Sequence, residues 1–348
     1  PAMSEVRANG GDLDGAAQLL ASARARVSAA MADLALPDAF RLSDRQRFSL
    51  SHLLRRLVGD IEDELRSSLA ARFAGEREEP LRAALSSASL AIAVPVLESR
   101  DALSDPVLFA LLLRRAEEHR LARSAPERRL LIELAGDGDP AVAAASLSLL
   151  IAGSRRVDAF QEPLMASGDL PAETAHGLTW TVAAALRTYL VERHSVEPPI
   201  ADEAVTAAAA DFLGRYDEGS GADPLARRLG LRLEERGRLD DRLLARAAGE
   251  GALPLLLAGL SLRTGLDLQA LWELVSDPAG RGPAILLKAA RVGREAAAAI
   301  LLQLAARGEA VEAQLDLYDA LDPARARDHV FLWQLDPAYR AAVARLAS

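Results

Sequence analysis

Apolar side chains at Leu50, Leu54, Leu57, Ile61, Leu65, Leu69 and Phe73 recur in steps of three and four residues. On an α-helix that spacing draws one stripe along a single face, and a helix with such a face must bury it. Ser43, with Gln46 three residues later, supplies a capping box at the start. Breaks follow at Gly75, Pro80 and Ser99 to Asp101, and each leads into another apolar segment. The stretch from Ser43 to Arg120 therefore reads as a serial array of short helix pairs.

Composition points the same way. Half of the 348 residues are hydrophobic but only 4% are aromatic, so the core is built from Leu, Ala, Val and Ile. Sheets favour β-branched and aromatic residues, whereas runs such as Ala207 to Ala210 and Ala296 to Ala299 favour helix. The chain has no cysteine, which excludes disulfides, thiolate zinc sites and thiol catalysis. Its net charge of −9 makes nucleic acid an unfavourable partner, because phosphate neutralisation drives that binding. Lys288 is the one lysine among 41 basic residues, as codon bias in a GC-rich genome produces. No signal peptide and no membrane-length apolar run is visible, so a cytoplasmic protein that makes no membrane contact is expected.

Asp-Pro recurs six times, at Asp105, Asp139, Asp223, Asp277, Asp322 and Asp336. Aspartate at an N-cap accepts from an otherwise unpaired backbone N–H and meets the positive end of the helix dipole. Proline at the next position has no donor to lose. Six such steps, most of them followed by helical apolar patterns, support a many-helix chain. Spacings of 34 residues between the first two and 45 between the fourth and fifth lie near those of helical repeats. A helix is predicted over Leu13 to Leu36, and another over Leu90 to Leu97 with a kink near Pro95. A long helix is predicted from Pro171 to His194, closed by Glu197-Pro198-Pro199. The expected organisation is a disordered N-terminus over 1–12, helical repeats over 13–196 and a second helical region over 197–348.

Three segments, LRSSLAARFAGEREEP (65–80), AIAVPVLESRDALSDPVL (91–108) and RAEEHRLA (115–122), are similar to an alphaproteobacterial domain-of-unknown-function family, number 2336. With DLPAETAHGLTWTVAAALR (169–187), the resemblance spans residues 43 to about 190 and leaves the C-terminal half only loosely similar. It implies an all-α fold, an α-solenoid of HEAT-like helix pairs in a right-handed superhelical array. It implies no reaction.

Candidate chemistry is sparse. Ser51-His52-Leu53-Leu54-Arg55 resembles the phosphoacceptor box of histidine kinases, with Leu53 where an acid belongs, and makes His52 a candidate phosphoacceptor. Gly136-Asp137-Gly138-Asp139-Pro140-Ala141 fits G-x-G-x-x-A, but a helix rather than a strand precedes it, so a tight turn is expected. Among the five histidines none forms His-Glu-x-x-His, and no metal or cofactor is expected. Glu117-Glu118-His119 and the acids at Glu62, Asp63 and Glu64 read as solvated charge beside Arg55, Arg56 and Arg66. Arg228, Arg232 and Arg236 step by four, as do Arg238, Arg242 and Arg246. A helix would align each trio on one face that could pair with an acidic protein segment. Trp180, Trp272 and Trp333 sit among Leu and Val, where core burial is expected, but Trp180 and Trp272 are also candidate anchors for a partner.

The expected function is a non-enzymatic adaptor or regulatory scaffold that binds another protein through a concave face. The rivals are a phosphorelay component using His52 and a HEAT-type nucleic-acid binder related in architecture to alkylated-base glycosylases.

Overall fold

The stripe becomes α1 (Asp44–Arg72), with Leu57, Ile61, Leu65 and Leu69 each at most 1% exposed and Leu54 half-buried. A computed structural model describes residues 43–73, 79–88, 90–100, 102–103, 105–123, 129–277, 281–305, 309–336, 338–339, 342 and 346. The expected disordered N-terminus and the predicted helix over 13–36 lie outside them. Among the described residues all regular structure is helical, with no strand. Their sole β-feature is a bridge between Val157 and Pro163.

Further helices follow in order: α2 (Glu79–Leu85), α3 (Ala93–Ser99), α4 (Pro106–Arg123), α5 (Leu130–Ala135), α6 (Pro140–Ser154), α7 (Ala172–His194) and α8 (Pro198–Leu213). Then come α9 (Ala222–Glu235), α10 (Asp241–Gly249), α11 (Leu253–Thr264), α12 (Leu268–Val275), α13 (Arg281–Ala289), α14 (Arg294–Leu304), α15 (Glu309–Ala320) and α16 (Pro323–Phe331). None of the described helices is long and apolar enough to cross a membrane.

The Asp-Pro steps act largely as the physics requires. Asp105, Asp139, Asp322 and Asp336 each accept from backbone N–H groups two or three residues on. Asp277 reaches further, to the N–H groups of Arg281 and Gly282 at 2.9 Å each. Asp223 is the exception. It lies inside the first turn of α9, whose N-cap is Gly221, and its carboxylate turns inward to Arg114.

Leu90 to Leu97 corrects another expectation. Residues 90–92 are not helical, α3 starts at Ala93, and Pro95 falls in its first turn. Proline there displaces no hydrogen bond, so there is no cause for a kink.

One contiguous apolar core runs from Leu121 to Val330 through α5, α6 and α9–α16. Within it α6 packs on α5 and α9, α9 on α11, α10 on α11 and α14, and α13 on α15 and α16. α7 packs outside it, against α8 and α3. Two backbone approaches depend on glycine. Gly265 closes α11 at φ 73°, where a side chain is strained. At Gly282 a Cβ would stand 2.1 Å from the Leu274 carbonyl oxygen, which is fixed backbone at the end of α12. Gly282→Ala is expected to destabilise the protein by about 1–3 kcal/mol through overpacking, read by urea denaturation. An unchanged midpoint would show that α12 and α13 are not so close.

Candidate functional site

α4 mixes charge into its buried side. Beside buried Leu108, Leu112, Ala116 and Leu121 it carries Arg115 and Glu118, 5% and 3% exposed, while Val107, Phe109 and Leu113 are 57%, 40% and 38% exposed. A helix normally buries its apolar side, and the informative exceptions are buried charge and exposed large apolar groups. Here both occur on one element.

The buried charges form a closed ionic network. Glu118 takes Arg114 Nε at 2.8 Å and Arg156 Nη2 at 2.9 Å on its two oxygens. Arg114 Nη2 also donates to Asp223 at 2.8 Å, tying α4 to the first turn of α9. Arg156 Nε lies 3.4 Å from Asp169, whose other oxygen accepts from the Ala222 N–H at 3.1 Å. Arg115 donates from Nε to the Leu164 carbonyl at 2.9 Å and from Nη2 to the Arg156 carbonyl. Three arginines face three carboxylates, so the cluster is neutral as a whole, which a low-dielectric interior demands. The Arg114 guanidinium also lies over the Trp272 ring, 5.9 Å from its centroid, in a cation–π contact.

Burial alone would raise the Glu118 carboxyl, but Arg156, Arg114 and Arg115 outweigh it and hold the group at about 2. Burial lifts Asp223 above the ordinary carboxylate range despite Arg114. Burial and the neighbouring Arg156 push Arg115 down to about 9, which still leaves it charged at neutral pH. The reading of Glu118 as solvated is thus corrected: it is the hub of the network. Its signal in the sequence is the Arg114–Glu118 spacing on a helix whose large apolar residues do not fall on one side.

The acids at 62–64 need a similar correction. Glu62 and Arg66 are 2% and 3% exposed and clamp the α2–α3 connection. Glu62 accepts from the N–H groups of Ile92 and Ala93 at 2.9 and 2.8 Å, capping α3 from another helix. Arg66 donates to the carbonyls of Leu85, Leu90 and Ala84 at 2.9, 2.6 and 3.1 Å, and to that of Ser87.

The arginine rows are divided among elements and partly occupied. Arg228 and Arg232 are on α9, but Arg236 is its C-cap, and Arg238 precedes α10. Arg232 pairs with Glu235 at 2.9 Å, and Arg236 and Arg238 pair with Asp139 and Asp137 at 2.7 Å each. The G-x-G-x-x-A stretch is the expected inter-helix turn, between α5 and α6, and its two aspartates dock these arginines. Hydrogen bonding from Arg238 lowers Asp137, and that from the Ala141 N–H lowers Asp139. Arg246 pairs with Glu133 and Glu250, both at 2.9 Å. Exposed Arg228 and Arg242 make no ion pair among the described residues.

His52 is half-buried on α1 and stacks on Phe48, ring centroids 6.3 Å apart. Its Nε2 is shielded from solvent without a hydrogen-bond partner among the described residues. Trp180 is half-buried on α7 and donates from Nε1 to His176 Nε2 at 2.9 Å. Trp272 and Trp333 pack, partly buried, on the main core. The described residues contain no cluster of metal-ligating side chains.

Residues 124–330, more than half of the chain, match the family described as an uncharacterised protein conserved in bacteria (DUF2336). The chain belongs to that family. The DUF2336 match begins after the first core residue, Leu121, and ends at the last, Val330. It overlaps the resemblance from 124 to about 190, including the 169–187 segment, takes in the C-terminal helices that the resemblance left only loosely similar, and leaves out α1 to α4, where its other three segments lie. No curated protein and no solved structure matches the chain.

Proposed function

We propose that this DUF2336 protein is a non-enzymatic adaptor or regulatory scaffold of the cytoplasm, a HEAT-like α-solenoid that binds another protein. The apolar pair on α4 carries the reading. Phe109 and Leu113, one turn apart, are exposed on a helix whose opposite side is locked by buried ion pairs. A pair held that firmly costs little ordering entropy when a partner covers it. Packing of α9 on α11 and of α13 on α15, helices two apart in the chain, supports the repeat-array reading. Arg228, with Arg232 one turn on and Arg236 at the helix end, offers positive charge to an acidic segment of the partner. Trp180 and Trp272 are further contacts for it.

The test is comparative capture from the native host with the wild-type chain and with Phe109→Asp/Leu113→Asp. A specific partner is expected to bind the wild type and to be lost from the variant, since truncating hot-spot residues costs about 2 kcal/mol or more. Circular dichroism should show the helices intact. Arg228→Glu/Arg232→Glu/Arg236→Glu should weaken the same partner and reduce the salt sensitivity of binding. Identical captured proteins for wild type and both variants would refute the reading.

A further inference from the structure

Asp223 stands before Pro224, and a residue in front of proline disfavours the helical region because the ring crowds it. Asp223 is helical nonetheless. It lies inside the first turn of α9, whose N-cap, Gly221, offers no side-chain acceptor. Asp139 shows what the same dipeptide does when nothing intervenes. It precedes Pro140 at φ −86° and ψ 113°, in the extended region, and accepts from the Ala141 N–H at 2.9 Å. For Asp223 the equivalent donors are the N–H groups of Leu225 and Ala226. Leu225 donates instead to the Gly221 carbonyl over 3.3 Å, beyond the usual range for such a bond. What keeps Asp223 from capping is tertiary. Arg114 Nη2 donates to it at 2.8 Å, and beside it Asp169 accepts from the Ala222 N–H at 3.1 Å. The first turn of α9 is therefore in a position that its own sequence does not prefer.

We propose that Asp223 is a two-position latch between α4 and α9. In the latched position, the one in this structure, its carboxylate ties α9 to Arg114. In the released position residues 221–223 unwind, α9 begins at Pro224, and the same carboxylate caps it through the N–H groups of Leu225 and Ala226. The exchange strands neither charge. Arg114 keeps Glu118 at 2.8 Å, and Asp223 gains backbone donors and the positive end of the helix dipole. The large penalty for breaking a buried pair comes from leaving one charge without compensation, and here both are provided for. The latched position also demands glycine at 221. A Cβ there would stand 2.6 Å from the Gly168 carbonyl oxygen, which is backbone. The latch needs no partner, so it does not rest on the adaptor reading; it gives α4 one state tied to α9 and one state free of it.

Hydrogen exchange of the full chain, resolved to single amides across 221–227, tests the latch. Arg114→Met removes the tertiary hold. The rest of the buried cluster, Arg115 and Arg156 with Glu118 and Asp169, is then neutral only if Asp223 departs. The Ala222 amide is expected to exchange about tenfold faster than in the wild type, because its bond to Asp169 is given up. The amides of Leu225 and Ala226 should keep their protection. Adding Asp223→Ala should then speed those two by about fivefold, since the cap is gone. Gly221→Ala leaves every charge in place and should reproduce the pattern of Arg114→Met. An Ala222 amide as protected in Arg114→Met as in the wild type overturns the proposal. So does an equal loss at Leu225 and Ala226 with and without the Asp223 carboxylate, which is simple fraying. If Arg114→Met fails to fold, Gly221→Ala alone and with Asp223→Ala carry the same comparison.

Discussion

Arg66→Met is expected to lower the unfolding free energy by about 3–5 kcal/mol, the cost of breaking a buried ion pair from one side. Two losses combine. Glu62, 2% exposed, loses the guanidinium 3.3 Å away. The carbonyls of Ala84 and Leu85 at the end of α2, and of Ser87 and Leu90 beyond it, lose this donor. Lysine should rescue little, because a single ammonium cannot reproduce the planar fork that reaches four carbonyls. Urea denaturation of wild type, Arg66→Met and Arg66→Lys reads this directly. A loss below about 1 kcal/mol in the methionine variant would mean that the clamp contributes no more than a surface pair.

Glu118→Gln should cost a similar 3–5 kcal/mol at neutral pH, because it leaves three buried arginines facing two carboxylates. The pH dependence separates charge from shape. The folded-state pKa of Glu118 is about 2, depressed from the ordinary 4.5. A depressed carboxyl contributes stability that is fully present above about 4.5 and is lost as pH falls through about 2. The gap between wild type and Glu118→Gln should therefore be flat above about pH 5 and shrink between 4.5 and 2. Asp223 works in the opposite sense. Its folded pKa is raised, so it takes up a proton more readily in the native state and recovers some stability as pH falls. Denaturation of Glu118→Gln and Asp223→Asn across that range should show opposite slopes. A gap that stays constant down to pH 3 would show that the Glu118 charge is not what holds the network.

Local chemistry alone determined the helical content, most helix starts and the buried side of α1. The stripe from Leu50 to Phe73 has one solution at helical spacing, and Asp-Pro caps act through atoms two or three residues away. The turn at Gly136 to Ala141 was legible for the same reason, since its bonds are local. Tertiary structure decided the fate of the charges. Glu118 and Glu62 look like ordinary helix-surface acids in sequence, because Arg156, which donates to Glu118, and the Ile92 N–H, which donates to Glu62, come from other segments. Asp223 has the same Asp-Pro signature as Asp139, yet Arg114, 109 residues earlier, draws it away from capping. The arginine rows were visible as spacing, but α9 ends at Glu235, so Arg236 and Arg238 point to the α5–α6 turn instead of extending one helical face. Burial of a charge depends on partners brought together by packing, and no local pattern carries that information.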